Sequence, residues 1–272
     1  MPLNGFAMDM NFLCASVEAD RAVFQLSASP RTQKLYPFDF LLTVGYTARD
    51  NALRVDYRVE NRGGRPMPFC IGCHTAYNWP LMPGDAPEDY SLRFEQPEAL
   101  ESFNPFGWRQ PFVSGQERPL AHELFRNFTR SLTGIRSSWV EFGSSRHARR
   151  VRIHREHFPF MAIWTLPDPE AALICLEPCT SVHAGDHGCT HLEDREGALV
   201  LGPGEVWESG FALSFFCVHA ESMDEYARHS VRLWRAYSLS ALTARSSGEI
   251  DAQLLPWYHG REDGAKATAA YK

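Results

Sequence analysis

The stretch FDFLLTVGYTARDNALRVDYRVEN, residues 38–61, decides the fold. In its second half Leu53, Val55, Tyr57 and Val59 alternate with Arg54, Asp56 and Arg58. Side chains two apart on an extended chain share a face, so this is a strand with one buried side and one wet side. In its first half Phe38, Phe40, Leu42, Val44 and Tyr46 form a similar stripe, with a less polar opposite face. The same period continues outward. Tyr90, Leu92 and Phe94 oppose Ser91, Arg93 and Glu95, and SWVEF, RVRIH, FMAIW, AALICL, ALVL and FALSFF follow, most bounded by Gly, Pro, Asp or Ser. Many short strands without intervening helices predict an all-β antiparallel sandwich and exclude a parallel βαβ fold.

The bulk numbers agree. The chain has 272 residues, 44% of them hydrophobic, enough for a large core. Its 18 prolines and 19 glycines suit short strands better than long helices. A net charge of −6, from 27 basic and 33 acidic residues fairly mixed, gives no electrostatic case for a nucleic-acid partner. No apolar run approaches the roughly 18–20 residues of a membrane span, and the start, MPLNGFAMDMNF, lacks the pattern of an export signal. Seven scattered cysteines then read as free thiols, and the cytoplasm is the expected compartment.

Two regions depart from period two. Residues 97–128 show no clear periodicity and read as long loops across one end of the sheets. After Phe216, Met223, Tyr226, Ser230, Leu233, Trp234, Tyr237 and Leu242 approximate a helical stripe, with Ser222 and Glu225 as a capping box. The expected organisation is therefore a sandwich domain over 1–217, then a C-terminal helix and tail over 218–272.

Three constellations bear on chemistry. Cys70-Ile71-Gly72-Cys73-His74 has the spelling of a c-type haem attachment site. That chemistry needs export and a small helical fold, whereas this run is extended and apolar; a thioredoxin-like motif fails for the same reason. Residues 182–191, VHAGDHGCTH, crowd His183, Asp186, His187, Cys189 and His191 together. These are sound zinc-ligand types, but Gly185 and Gly188 work against a helix presenting the histidines on one face, and a solvated loop is the preferred reading. The third pairs His74 with Glu177, which follows the apolar run AALICL and precedes Pro178 at a strand end. A carboxylate there is desolvated, which raises its pKa and suits it to act as a base near neutrality. Each alone reads as a structural residue, and no spacing in the sequence shows that they meet.

The order of the pieces carries more than any one of them. The segment from Lys34 to Leu81, with Pro68-Phe69-Cys70-Ile71-Gly72-Cys73-His74-Thr75-Ala76-Tyr77-Asn78-Trp79-Pro80 inside it, resembles the galactose mutarotase-like family, the aldose 1-epimerases, in its bacterial subgroup. LAHELFRN (120–127), FPFMAIWTLP (158–167), ICLEP (174–178), LEDREG (192–197) and LGPGE (201–205) match in sequence order, so the resemblance covers roughly residues 1 to 216. CIGCH is then similar to the family's I-G-x-H signature, with cysteines at positions that need none.

The resemblance implies a β-sandwich of the galactose mutarotase-like supersandwich type. It implies an isomerase that interconverts the α and β anomers of an aldohexose with no cofactor and no metal. Glu177 would be the general base on the C1 hydroxyl and His74 the acid at the ring oxygen; Asn4, Asn78, Trp79 and Trp164 would contact the sugar, with a core role as the alternative for the two tryptophans. The chain departs from the pattern in places. Asn4-Gly5-Phe6-Ala7-Met8-Asp9 stands where the family carries His-Gly-Phe-Ala-Arg-Asp, Arg126-Asn127-Phe128 replaces an acidic sugar contact, and the family's earlier strands are missing, which a start codon placed too late, a truncation whose gap the C-terminal helix covers, or a decayed member would each explain. Losing an arginine's five donors at Met8 disfavours a phosphorylated sugar. The alternative reading is a non-catalytic carbohydrate-binding or regulatory protein on the same fold.

Overall fold

The pairing of residues 38–61 is a hairpin whose two-residue connection, Asp50-Asn51, places Asp50 in the left-handed region at φ 50°. Short polar residues tolerate that conformation, which matches the strands' twist. In this computed structural model, residues 5–103, 108–126, 129–166, 168, 171–181 and 191–216 are described.

Among them are fifteen strands: β1 (Leu13–Val17), β2 (Arg21–Ser27), β3 (Phe40–Arg49), β4 (Ala52–Asn61), β5 (Met67–Phe69), β6 (Thr75–Asn78), β7 (Tyr90–Phe103), β8 (Arg109–Pro119), β9 (Arg130–Thr133), β10 (Trp139–Ser144), β11 (Arg150–His154), β12 (Phe160–Trp164), β13 (Leu173–Cys179), β14 (Leu199–Leu201) and β15 (Val206–Phe216). All their pairings are antiparallel. One hydrogen-bonded path runs β1-β2-β3-β4-β15-β11-β10-β7-β9-β12-β13-β6, with β8 also on β7, while β14 and β5 form a separate pair.

The path closes on itself as a sandwich. Val44 and Val55 of β3 and β4 share one core with Leu132, Met161, Ile163, Ile174 and Leu176 of β9, β12 and β13, which lie far along the path. Strand β7 joins the layers: its first residues, Tyr90–Phe94, pair with β10, and Ser102–Phe103 pair with β9. The crossing from β9 back to β10 is fixed by two buried charged side chains. Glu98, 3% exposed, accepts from the backbone N–H of Arg136 (3.0 Å) and of Ser137 (2.7 Å) and from the Ser137 hydroxyl (2.7 Å). Arg155 donates to the carbonyls of Ile135, Ser137 and Phe158. Buried charges persist only where their hydrogen-bonding capacity is met in this way.

A smaller core of Leu26, Tyr36, Phe40, Val59, Met67, Phe69 and Leu201 lies under the β5–β14 pair. It is tied down by Tyr36, whose hydroxyl donates to the Pro68 carbonyl at 2.6 Å, and by Asn61, whose amide donates to the carbonyls of Leu201 and Arg65. This anchors the chain immediately before the stretch Cys70–His74.

Residues 97–128, expected as loops, are in large part the second half of β7 and all of β8. Register shifts fall between Arg93 and Glu98 and between Leu100 and Glu101, and Pro97 and Pro111 stand inside the strands. In β7 the buried side chains keep one parity, but Glu98 and Ser102 are among them; in β8 the neighbours Phe112 and Val113 are both buried, as at a bulge, so neither stretch reads as an apolar stripe. The predicted helix of 222–245 and the boundary at 217/218 lie outside the described residues, as do residues 182–190 of the histidine cluster. No helix among the described residues is long and apolar enough to cross a membrane.

Candidate functional site

The stretch after β5 lies along β13. The Ile71 N–H donates to the Thr180 hydroxyl (3.0 Å), the Thr180 N–H to the Ile71 carbonyl (2.8 Å), and the Cys73 N–H to the Pro178 carbonyl (3.1 Å). Gly72 bridges to Cys179 so closely that a Cβ there would lie 2.5 Å from the Cys179 Cβ. Only glycine allows that approach. Pairing then continues into β6, where Thr75 faces Leu176, Ala76 faces Cys175, Tyr77 faces Ile174 and Asn78 faces Leu173.

That register places the functional side chains. One step back from Thr75–Leu176, His74 falls opposite Glu177, and directly opposed residues of an antiparallel pair project from the same face. The His74 Nε2 is 3.4 Å from Glu177 Oε1, with the imidazole side chain 41% exposed and the carboxylate 16%. On the far side of β13, Glu177 opposes Ala162 of β12, which opposes Ser131 of β9, and Ser131 opposes Phe103 of β7. The row beside Glu177 is thus two small, buried side chains, Ala162 and Ser131, followed by Phe103. Trp164 lies two residues along β12, half-buried, with its ring edge-to-face on His74 at a centroid distance of 6.0 Å.

Burial pushes the Glu177 carboxyl up from its ordinary 4.5 to about 7, because a low-dielectric setting disfavours the ionised form. The Cys175 thiol is pushed up to about 12, first by its own burial and second by the Glu177 charge. The Cys73 thiol rises to about 12 through burial, its charge further disfavoured by Glu177. The cysteines of the CIGCH spelling therefore behave as protonated packing groups. Cys14, Cys70, Cys73, Cys175 and Cys179 are all free.

Of the residues singled out in the sequence, His74, Glu177 and Trp164 come together. Strand β13 runs two residues beyond Glu177, through Pro178 and Cys179, so the carboxylate is held within a strand rather than at its tip. Asn78 shares the His74 face of β6 and is exposed, but four residues of extended chain separate them by roughly 13 Å. Trp79 has the opposite parity. It is fully buried, stacked on His122 at 4.4 Å, and its indole N–H donates to the Pro87 carbonyl at 2.9 Å, so no face of the ring is open to a ligand. Asn4 lies outside the described residues, and Met8 is exposed on a short 3₁₀ turn. Sequence reasoning passed over Cys175, although the alternation that places Glu177 puts Cys175, two residues earlier, on the same face. Neither of two surface grooves, one lined by Phe38, Asn61 and Arg65 and the other by Arg93, Glu141 and Arg150, includes the His74–Glu177 pair.

Chemically, an imidazole and a desolvated carboxyl side by side can move two protons on one small molecule, and among the described residues His74, Cys175 and Glu177 also form a set of metal-ligand types. Comparison with known proteins shows the family of the chain. LacX of Lactococcus lactis subsp. lactis is 28% identical over 202 residues, which is 71% of this chain and 67% of that protein. The solved structure of a galactose mutarotase-like protein from Lactobacillus casei ATCC 334 is 26% identical with a TM-score of 0.71, covering 78% of this chain and 75% of that one. A galactose mutarotase related enzyme from Lactobacillus acidophilus shares the fold at a TM-score of 0.72 and 24% identity, over 79% of this chain and 74% of its own. The family model described as aldose 1-epimerase matches residues 1–214, and this chain belongs to that family.

Proposed function

We propose that the protein is an aldose 1-epimerase, or mutarotase, that interconverts the α and β anomers of an aldohexose, with Glu177 and His74 as its base and acid. The observation that carries this reading is the 3.4 Å apposition of a half-exposed imidazole and a largely desolvated carboxylate on one sheet face. The two oxygens that must exchange protons, the anomeric hydroxyl and the ring oxygen, are bonded to the same carbon. Two protein groups this close together face both at once.

In the proposed cycle the Glu177 carboxylate removes the proton from the C1 hydroxyl. The bond between C1 and the ring oxygen breaks, its electron pair goes to the ring oxygen, and the His74 imidazolium protonates that oxygen. Rotation about the C1–C2 bond turns the other face of the free aldehyde toward the hydroxyl. His74 then takes the proton back as the oxygen adds to C1, and Glu177 returns its proton to the new anomeric oxygen. Both residues end as they began. Each positioned proton transfer is worth about 10²–10⁴-fold. A carboxyl near pKa 7 is matched to this task, since about half of it is ionised at neutral pH and it is basic enough to accept a proton. Trp164, edge-on to His74, forms a wall of the site against which the apolar face of a pyranose packs. Asn4 is a candidate hydrogen-bond partner of the sugar on the strength of its motif alone.

Saturation-transfer NMR tests this reading. The folded protein is expected to speed exchange between the α and β signals of glucose, galactose or another aldohexose above the buffer rate. A folded protein that leaves every aldohexose at the buffer rate contradicts it, and sugar binding without exchange, measured by calorimetry, would then favour the non-catalytic carbohydrate-binding alternative.

A further inference from the structure

We propose that His74, Cys175 and Glu177 form a binding site for a soft divalent cation of the zinc class, and that the ion excludes sugar chemistry by occupying the acid–base pair. One potential ligand atom from each of the three residues lies within 4.8 Å of those of the other two. Tetrahedral zinc with bonds of about 2.0–2.3 Å holds its ligand atoms roughly 3.5 Å apart. His74 Nε2 and Glu177 Oε1 are already 3.4 Å apart, so the thiol sulfur needs to close by about 1.3 Å at most.

The backbone favours this set. Cys175 and Glu177 are two residues apart on one face of β13, and His74 belongs to the stretch that β13 pairs with. Cys175 is buried at 1% exposure, with Ala76 of β6 directly opposite it on one side and Trp164 of β12 on the other. The half-exposed imidazole gives an ion a way in and leaves a fourth position facing solvent. Neutral imidazole, thiolate and carboxylate together balance a charge of +2. Thiolate with imidazole favours zinc over magnesium or calcium, which take oxygen ligands. Burial keeps the Cys175 thiol protonated in the free protein, and coordination releases that proton to solvent as the metal–sulfur bond forms.

Cation binding stands apart from the epimerase reading; only the inhibition rests on it. The test uses the reduced, metal-free full chain, titrated with Zn²⁺ against a chromophoric chelator and with Co²⁺ followed by its thiolate charge-transfer absorption. The wild type is expected to show the thiolate band. Cys175→Ser is expected to lose one equivalent of tight binding and that band, with affinity at this site weakened at least about 100-fold, the upper end of what a lost outer-shell partner costs. Cys175→Ala, checked for folding by circular dichroism, is expected to behave alike. Where anomer exchange is measurable, Zn²⁺ should abolish it in the wild type, a chelator should restore it, and Cys175→Ser should resist. A Co²⁺ spectrum without the band, or binding unchanged by either substitution, overturns the site; tight binding that leaves exchange untouched overturns the exclusion.

Discussion

At the scale of single residues the account turns on the environment of Glu177. Its carboxyl titrates near 7 in the folded protein against an ordinary 4.5, so the rising, low-pH limb of the anomer-exchange profile at low sugar concentration is expected to lie near 7 rather than near 4.5. A profile flat between pH 5 and 8, after subtraction of the buffer reaction, would remove Glu177 as the base. The same displacement has a stability consequence of opposite sense. Between 4.5 and 7 the native state holds a proton that the unfolded chain has lost, so this residue's contribution weakens as pH rises and is fully lost above 7. The cost is roughly 3 kcal/mol, with desolvation as its source. Glu177→Gln is therefore expected to be more stable than the wild type at pH 8 and to match it near pH 4, as urea unfolding at the two pH values would measure. Equal midpoints at pH 8 would show that the carboxylate is not desolvated. The identity of the pair was legible only through the motif: an apolar run before a carboxylate reads equally as a buried structural group, and nothing in a spacing of about one hundred residues says that two side chains meet.

At the scale of elements, what brings them together is the laying of Cys70–His74 on β13. The cysteines flanking Gly72 drew the eye to metal and redox chemistry, while the glycine does the positioning through its contact with Cys179. Gly72→Ala must push the two segments apart, because the new methyl would meet backbone as well as the Cys179 side chain. An overpacking cost of about 1–3 kcal/mol is expected, together with a fall in exchange rate as His74 leaves its register with Glu177. Unfolding and exchange measured on the same preparation check both, and a Gly72→Ala protein with wild-type rate would show that this contact does not set the geometry. Strands with one wet face, such as β4, were legible from alternation alone. The second half of β7 and all of β8 were not: β7 fills two buried positions with Glu98 and Ser102, and β8 buries the neighbours Phe112 and Val113, so no apolar stripe is left to read. Trp79 reads as an aromatic beside the motif; the parity of β6, visible only once the strand's start is known, turns it into the core.

At the scale of the whole molecule, the sandwich class follows from period-two patterning, but the pairing order does not. Strand β4 lies against β15, the last strand described, through nine paired residues, and β7 reaches both layers. Such long-range choices depend on which faces match in three dimensions, and a single sequence carries no direct record of them. The crossing between β9 and β10 is held by buried charged groups, Glu98 and Arg155, beside the apolar Ile135 and Phe158. Arg155→Met keeps much of the volume and removes the donors to three buried carbonyls; a loss on the order of 3 kcal/mol in unfolding free energy is expected. A change below about 0.5 kcal/mol, the range of ordinary surface substitutions, would show that this crossing does not need the guanidinium. Across all three scales the central claim is one of chemistry, namely that the carboxylate held beside the His74 imidazole removes the anomeric proton. The most direct measurement is the anomer-exchange rate of Glu177→Gln beside the wild type at pH 8, with both proteins shown to be folded. The amide keeps the shape and loses the basicity, so the rate is expected to fall by roughly 10²–10⁴-fold; a variant that exchanges anomers as fast as the wild type would contradict the account.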